Sequence, residues 1–295
     1  MTTELNDPKY DDLDAWPTLD AVAAMWDGQV QAVAAVRAAL PAIARAADAA
    51  AAALGDRGRI VYAGAGTSAR IAVQDGVELP PTFGWSAERL AYATAGGADA
   101  LVTSAEGAED DMAAGASDID AMEVGPADVV IGVAASGTTP YTVAALRAAA
   151  SRGAVTIAVA NNAGAPLLAV ASHPILAETG GEVIAGSTRM KAGTAQKVVL
   201  NLLSSAIMIR LGGVYRGMMV AMPPTNDKLR RRAVSIVARI ARCAPAAAQA
   251  ALATAGNDIK VAVLVCGGLD AGRARERLAK HGGNLRAALQ PAAGP

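Results

Sequence analysis

Two short segments of glycine and hydroxyl residues each follow an apolar run and precede a helical pattern. The first segment follows RIVYAGA, and the second follows DVVIGVAA. They contribute Gly66, Thr67 and Ser68, and Ser136, Gly137, Thr138 and Thr139. A glycine turn at a helix start leaves backbone N–H groups free, and hydroxyls beside them add donors, so such a turn binds an anion, most often a phosphate. The two segments therefore predict a site for a phosphate or a sugar phosphate.

Two glutamates are candidate acid–base groups. Glu78 directly precedes the apolar sequence LPPTFG, and apolar surroundings favour the protonated form of a carboxyl, which suits a general acid. Glu109 belongs to the acidic segment EGAEDD at 106–111. Such a charge run usually forms a solvated surface or a helix start. Glu109 gains a catalytic meaning only beside Glu78, because two carboxylates on opposite sides of a substrate carbon can divide acid and base work.

A third polar segment precedes a long apolar helix that we predict over 192–211. It contains Ser187, Thr188, Arg189 and Lys191. The two cations could bind a carboxylate through charge-assisted hydrogen bonds. The alternative, which stays equally open here, is a capped helix start with solvated charges.

The first glycine segment also fits the loose dinucleotide-binding pattern G-x-G-x-x-A. That fold needs an acidic residue roughly 20 positions further on to hold a ribose. The segment LAYATAGG at 90–97 ends without a carboxylate, which argues against a nucleotide. A purely structural turn stays open as well, although it does not need the hydroxyls of Thr67 and Ser68.

The residues that usually bind metals are few and scattered. His173 and His281 have no ligand partner at a recognisable spacing. Cys243 and Cys266 form neither a disulfide framework nor a metal cluster. We therefore expect no metal site and a reducing compartment.

Short apolar runs alternate with helical patterns through the middle of the chain. The predicted strands span 59–63, 90–95, 128–134, 154–160 and 173–178, and the predicted helices about 68–78, 104–122, 140–152 and 164–171. This alternation predicts an α/β fold with a doubly wound, mainly parallel sheet flanked by helices. Loops at the carboxyl ends of neighbouring strands face one crevice, where such sheets bind ligands.

The flanking regions are helical. Thr18 can cap an N-terminal helix that Pro41 kinks or divides. Beyond residue 226 the sequence pattern predicts helices. We favour a helix also for the strand-like segment IKVAVLVC at 259–266. These patterns predict an N-terminal helical segment at 1–49, a sheet domain at 50–215 that contains the predicted sugar-phosphate site, and a small all-helical C-terminal region at 216–295.

Composition excludes several classes of function. The 295 residues include 26 basic and 27 acidic residues, a net charge of −1, so the chain has no basic field for nucleic acid. No uncharged apolar run reaches the ~20 residues of a membrane span. The acidic start MTTELNDPKYDDLD is unlike a signal peptide. We expect a soluble, cytoplasmic protein.

Six sequence blocks resemble one known family. In chain order they are YAGAGTSAR, ELPPTFG, EGAEDD, GVAASGTTPY, AGSTRMKAGTAQKVVLNLLS and TNDKL. They resemble the N-acetylmuramic acid 6-phosphate etherases, which are sugar isomerase (SIS) domain proteins, most clearly over residues 55–230. The resemblance implies a SIS fold, a homodimer, and cleavage of a lactyl ether with water, which gives N-acetylglucosamine 6-phosphate and D-lactate without a cofactor.

The resemblance also implies roles for individual residues. Glu78 matches the family's proton donor, and Glu109 matches its second catalytic glutamate. The two hydroxyl segments match the loops that hold the 6-phosphate. Arg189 or Lys191 is our own candidate for binding the lactyl carboxylate.

This sequence departs from the family pattern at four positions. Ala69 replaces a glycine, Thr138 replaces an arginine, Ala221 replaces an acidic residue, and Leu79 replaces a cysteine. The loss of an arginine from a phosphate loop weakens binding by about 1.5–3 kcal/mol, the scale of one charge-assisted hydrogen bond. The departures indicate either altered substrate choice within the family or reduced activity, although both glutamates are present. Two alternative functions also stay open, a sugar-phosphate-binding regulator without catalysis and an aldose–ketose isomerase.

Overall fold

The computed structural model describes residues 1–103 and 105–290. Contacts within the chain group it into two compact units. Among the described residues, the sheet unit comprises 1–76 and 88–206, and the C-terminal unit comprises 77–87 and 207–290. The three domain ranges expected from the sequence stay a prediction.

The sheet unit is built on five parallel strands. They are β1 (Ile60–Gly64), β2 (Leu90–Thr94), β3 (Val129–Ala134), β4 (Val155–Ala160) and β5 (His173–Leu176), in the spatial order β2-β1-β3-β4-β5. All four neighbouring pairs are parallel. Strands β1 and β3 are buried along their whole length, as strands covered on both faces are. The predicted doubly wound parallel sheet is confirmed.

Thirteen α-helices are found in the described residues. They are α1 (Thr18–Ala35), α2 (Leu40–Leu54), α3 (Gly66–Val77), α4 (Leu79–Phe83), α5 (Met112–Ala121), α6 (Pro140–Ser151), α7 (Pro166–Val170), α8 (Lys191–Arg210), α9 (Asp227–Ala241), α10 (Pro245–Thr254), α11 (Ile259–Cys266), α12 (Ala271–Lys280) and α13 (Leu285–Leu289). The helical N-terminal segment is thus confirmed, and so is the helix over IKVAVLVC.

Three details of the predicted helices need correction or refinement. Thr18 is the first residue of α1 and makes no capping hydrogen bond, because Pro17 occupies the cap position. The helix expected from 104 begins only at Met112, where the Asp111 side chain accepts from the Ala114 N–H at 2.9 Å. A 3₁₀ turn, Val36–Ala39, separates α1 from α2. The N-terminal helix is therefore divided near Pro41, as predicted.

Four helices of the C-terminal unit begin at good capping residues. The side chains of Asn226, Asp258, Asp270 and Asn284 each accept a backbone N–H in the first turn of α9, α11, α12 and α13, respectively. An antiparallel pair of short strands, β6 (Val214–Tyr215) and β7 (Met218–Met219), precedes them. The C-terminal region is therefore helical apart from this hairpin.

Two helical stretches of the described chain are long and apolar enough to cross a membrane, by length and composition alone. They are Thr18–Leu54 and Lys191–Arg210, and a third counts if the bent pair α9 and α10 is taken as one span. Helix α8 buries Ala195, Val199 and Leu203 completely. The absence of a membrane span stays a prediction.

Candidate functional site

The two glycine and hydroxyl segments meet at the carboxyl end of the sheet, which we define as the loops that follow β1 and β3. These strands are parallel neighbours, with Gly64 paired to Val133. Both loops therefore leave the sheet at the same end. The expected placement of the two loops at neighbouring strands is confirmed.

The first loop opens directly into α3. The first backbone hydrogen bond of this helix joins the Ala69 N–H to the Ala65 oxygen at 3.2 Å, so the N–H groups of Gly66, Thr67 and Ser68 precede the helical ladder. Gly66 is exposed with a φ of +52°, and a Cβ there would meet no atom within 4 Å. The loop thus presents open space in front of a helix N-terminus, which suits an anion.

The second loop is more tightly packed. Gly137 has a φ of +67°, and a Cβ at this position would lie 2.4 Å from the Cβ of Ala165. The Thr138 N–H donates to the Ser136 hydroxyl at 3.2 Å. Helix α6 begins one residue after Thr139, at a proline. This loop is therefore fixed by its own contacts, with the Thr138 side chain exposed.

A cavity of about 220 Å³ joins the first loop to the acidic segment. Its lining includes Gly66, Arg70, Glu106 and Glu109, all from the sheet unit. Glu109 is exposed and lies in a 3₁₀ turn, Ala108–Asp110, that follows Gly107. The structure thus brings the predicted anion loop and one predicted carboxylate to the same cavity.

Arg70 was missed by the sequence reasoning. Its Nε donates to the Leu101 oxygen at 2.8 Å, and its Nη2 donates to the Ala100 oxygen at 3.0 Å. The signal that could have revealed it is the arginine that ends the block GTSAR, one helical turn after the anion loop.

Glu78 lies at the junction of α3 and α4, in the C-terminal unit. Its side chain is exposed, so the prediction of apolar surroundings for this carboxyl is wrong in the single chain. The cause is the single turn of α4, in which Leu79 faces inward while the residue before it faces solvent.

The third polar segment is organised by a buried carboxylate that the sequence reasoning also missed. Glu182 is 1% exposed and accepts the backbone N–H groups of Lys191 at 2.8 Å and Ala192 at 2.9 Å. Burial raises the pKa of Glu182, and these donors oppose that rise. The N-terminus of α8 is therefore occupied by a side chain of the protein, and the Lys191 ammonium donates to Gly181 and Gln31 instead. Arg189 is exposed.

Within residues 1–103 and 105–290, no set of three or more His, Cys, Asp or Glu residues is arranged to hold a metal ion. Cys243 and Cys266 are free thiols with their Sγ atoms 3.7 Å apart, a proximity that their separation in sequence did not indicate.

Known proteins are similar to this sequence over nearly its whole length. The family model described as the glucokinase regulatory protein N-terminal SIS domain matches residues 42–150, and the SIS domain model matches residues 112–206. An N-acetylmuramic acid 6-phosphate etherase of Deinococcus radiodurans is 49% identical over 97% of this chain and 94% of its own length. The chain belongs to the N-acetylmuramic acid 6-phosphate etherase family.

A second member of the etherase family, from Cutibacterium acnes, is 45% identical over 98% of this chain and 95% of its own length. Among solved structures, the chain is similar to a phosphoheptose isomerase from Francisella tularensis, with 20% identity and a TM-score of 0.48 over 66% of this chain and 98% of that one. The etherase relatives match both units, so the resemblance and the SIS fold expected from the sequence blocks are confirmed.

Proposed function

We propose that this protein cleaves the D-lactyl ether of N-acetylmuramic acid 6-phosphate with water, giving N-acetylglucosamine 6-phosphate and D-lactate. It is then a carbon–oxygen lyase of amino-sugar catabolism. The observation that supports this most directly is the cavity that an anion-binding helix start and Glu109 both line. The etherase names of the relatives supply the substrate.

The reaction is an elimination followed by a hydration. In the open-chain sugar, the C1 aldehyde acidifies the proton on C2, and the lactyl oxygen on C3 is the leaving group. A base removes the C2 proton, an acid protonates the departing lactate, and water then adds across the double bond. The aldehyde is the electron sink, so the chain's own residues need to supply only binding and proton transfer.

We assign the base to Glu109 and the acid to Glu78. The exposed position of Glu109 on the cavity wall gives its carboxylate access to a bound sugar. The 6-phosphate binds at the free N–H groups of the first loop and at the hydroxyls of the second. Arg189 is the better candidate for the lactyl carboxylate, because the Lys191 ammonium is buried and bonded within the sheet unit.

We also propose that the protein is a soluble, cytoplasmic homodimer that uses a stripe on α1. Five large apolar side chains project into solvent there at helical spacing: Leu19, Val22, Trp26, Val30 and Val33. On α8, the other long apolar helix, only Leu202 and Ile209 are large apolar side chains exposed to solvent. Sedimentation of Trp26→Lys tests the stripe, since a wild-type dimer that survives this change would contradict it.

The activity is tested by incubating the purified protein with N-acetylmuramic acid 6-phosphate and measuring D-lactate. We expect Glu78→Gln and Glu109→Gln to lose about 10²–10⁴-fold in kcat. Glu106→Gln is the matched control, because this glutamate lines the same cavity but has no assigned role. Its activity stays close to wild type.

Exchange of the C2 hydrogen with deuterated water separates the two roles. The Glu78→Gln protein keeps C2 exchange while lactate release is lost, whereas Glu109→Gln loses both. Binding of the sugar phosphate with no lactate release by the wild-type protein would refute the lyase and identify a regulator. Turnover of a hexose 6-phosphate that lacks the ether would identify an isomerase.

A further inference from the structure

Arg70 links the two parts of the cavity that the proposed reaction needs. It belongs to α3, the helix whose first turn is the anion loop, and its guanidinium donates to the backbone oxygens of Leu101 and Ala100 at 2.8 and 3.0 Å. These oxygens end a 3₁₀ turn, Ala98–Leu101, on the path from β2 to the acidic segment. One planar side chain thus holds two carbonyl groups in a fixed geometry.

The same turn also packs against the segment that contains Glu109. A Cβ built on Gly96 would lie 2.6 Å from the Cβ of Ala105, 3.1 Å from that of Ala100 and 3.4 Å from that of Ala108. These three methyl groups therefore converge on the end of β2. The turn held by Arg70 therefore lies close to Ala105 and Ala108, the latter next to Glu109 in the chain.

We propose that Arg70 is a positioning residue that sets the Glu109 carboxylate relative to the phosphate-binding start of α3. The inference rests on the proposed function. Helix α3 acts as a rigid spacer, because Gly66 and Arg70 are four residues apart in it, about 6 Å along the axis. The start of α3 binds the phosphate of the sugar. Arg70, one helical turn further along, fixes the turn that positions the Glu109 carboxylate.

Arg70→Lys is the direct test, because lysine keeps the charge but cannot hold two carbonyls as a fork. We expect kcat for lactate release to fall about 10- to 100-fold, because the Glu109 carboxylate would no longer be held in the correct position. The KM, and the inhibition constant of inorganic phosphate, stay within about threefold of wild type. The limb of the kcat–pH profile that reports the base also shifts.

Arg89→Lys is the matched control. Arg89 also donates to backbone oxygens, those of Gly58, Leu54 and Gly55, but it does so before β1, at the opposite end of the sheet. A purely structural contribution lowers thermal stability in both variants alike. Only a positioning role lowers kcat in Arg70→Lys and not in Arg89→Lys.

A second pair of variants protects the test against poor folding of Arg70→Lys. In Arg70→Ala, added guanidinium ion restores part of the lost kcat, whereas Arg89→Ala gains nothing from it. Equal kcat in the two lysine variants would overturn the proposal. So would a weaker phosphate inhibition with unchanged kcat, which would make Arg70 a phosphate ligand. If the wild-type protein releases no lactate, the proposed function itself fails, a result distinct from either of these.

Discussion

The two ends of the central sheet use their polar groups in opposite ways. At the amino end, which we define as the residues that enter β1 and β3, Asp128 is 6% exposed and accepts four hydrogen bonds, three from Arg59 and one from the Gly125 N–H. At the carboxyl end, the first backbone N–H groups of helix α3 lie before its first helical hydrogen bond.

We infer from this difference that polar groups at the amino end of the sheet stabilise the fold, whereas those at the carboxyl end bind a ligand. A polar group that is satisfied by the chain itself stabilises the fold, and its removal leaves a buried partner unpaired. A polar group that is left open contributes little to stability and is available to a ligand. Changes at the amino end should therefore alter unfolding, whereas changes at the carboxyl end should alter binding and turnover.

The largest effect on stability is expected at Asp128. In Asp128→Asn the partly exposed Arg59 guanidinium loses its charged partner, and we expect the free energy of unfolding in urea to fall by about 2–3 kcal/mol. Asp120→Asn is the control, because Asp120 and Arg152 form an ion pair with exposed side chains, worth at most about 1 kcal/mol. Equal losses of unfolding free energy in the two variants would show that the Asp128 contacts stabilise the fold no more than a surface ion pair does.

The same carboxylate gives a pH dependence of known sign. Burial alone would raise the pKa of Asp128, but the Arg59 guanidinium and the N–H groups of Arg59 and Gly125 outweigh it and lower the pKa below the ordinary 3.8. A lowered pKa means that the folded protein prefers the ionised form, so its contribution is present above 3.8 and disappears as the pH falls through the lowered value. The stability gap between wild type and Asp128→Asn should be constant near neutrality and shrink in acid. A gap that widens in acid contradicts this sign.

A smaller effect, shared between stability and binding, is expected at the glycines of the two loops. Gly137→Ala forces a Cβ to within 2.4 Å of Ala165 at a positive φ and should lower the unfolding free energy by about 1–3 kcal/mol. Gly66→Ala meets no such contact and should cost about 1 kcal/mol, from its backbone conformation alone. Its methyl group projects into the proposed phosphate site, so the KM should rise more than in Gly137→Ala. Urea unfolding and steady-state kinetics measure both effects, and the reverse order of stabilities would contradict the geometry.

The smallest change is Ser68→Ala. Ser68 is buried, and removal of its hydroxyl from the first turn of α3 should change the unfolding free energy by about 1 kcal/mol or less. Inhibition by inorganic phosphate should weaken about tenfold, the scale of one hydrogen bond to a charged group. If phosphate inhibition is unchanged and stability clearly falls, Ser68 stabilises the fold, as Asp128 does, and does not bind the phosphate.

Local patterns in the sequence determined the sheet and the position of the two loops. The strand runs are short, apolar and separated by helices, and this alternation already requires parallel strands whose following loops share one end of the sheet. The etherase family was likewise readable from blocks such as GSTRMKAGTAQK, because they are contiguous in the chain. For these features, neighbouring residues supply all the information that is needed.

Only the tertiary structure decided which polar groups pair with each other. The sequence offered Lys191 as a carboxylate ligand, but its ammonium bonds to Gly181 and Gln31, while Glu182 caps the helix that Lys191 begins. Arg70 finds its acceptors 30 and 31 residues away, across a β-strand and a turn. Such partners depend on how distant segments cross at the end of the sheet, and no local spacing records that arrangement.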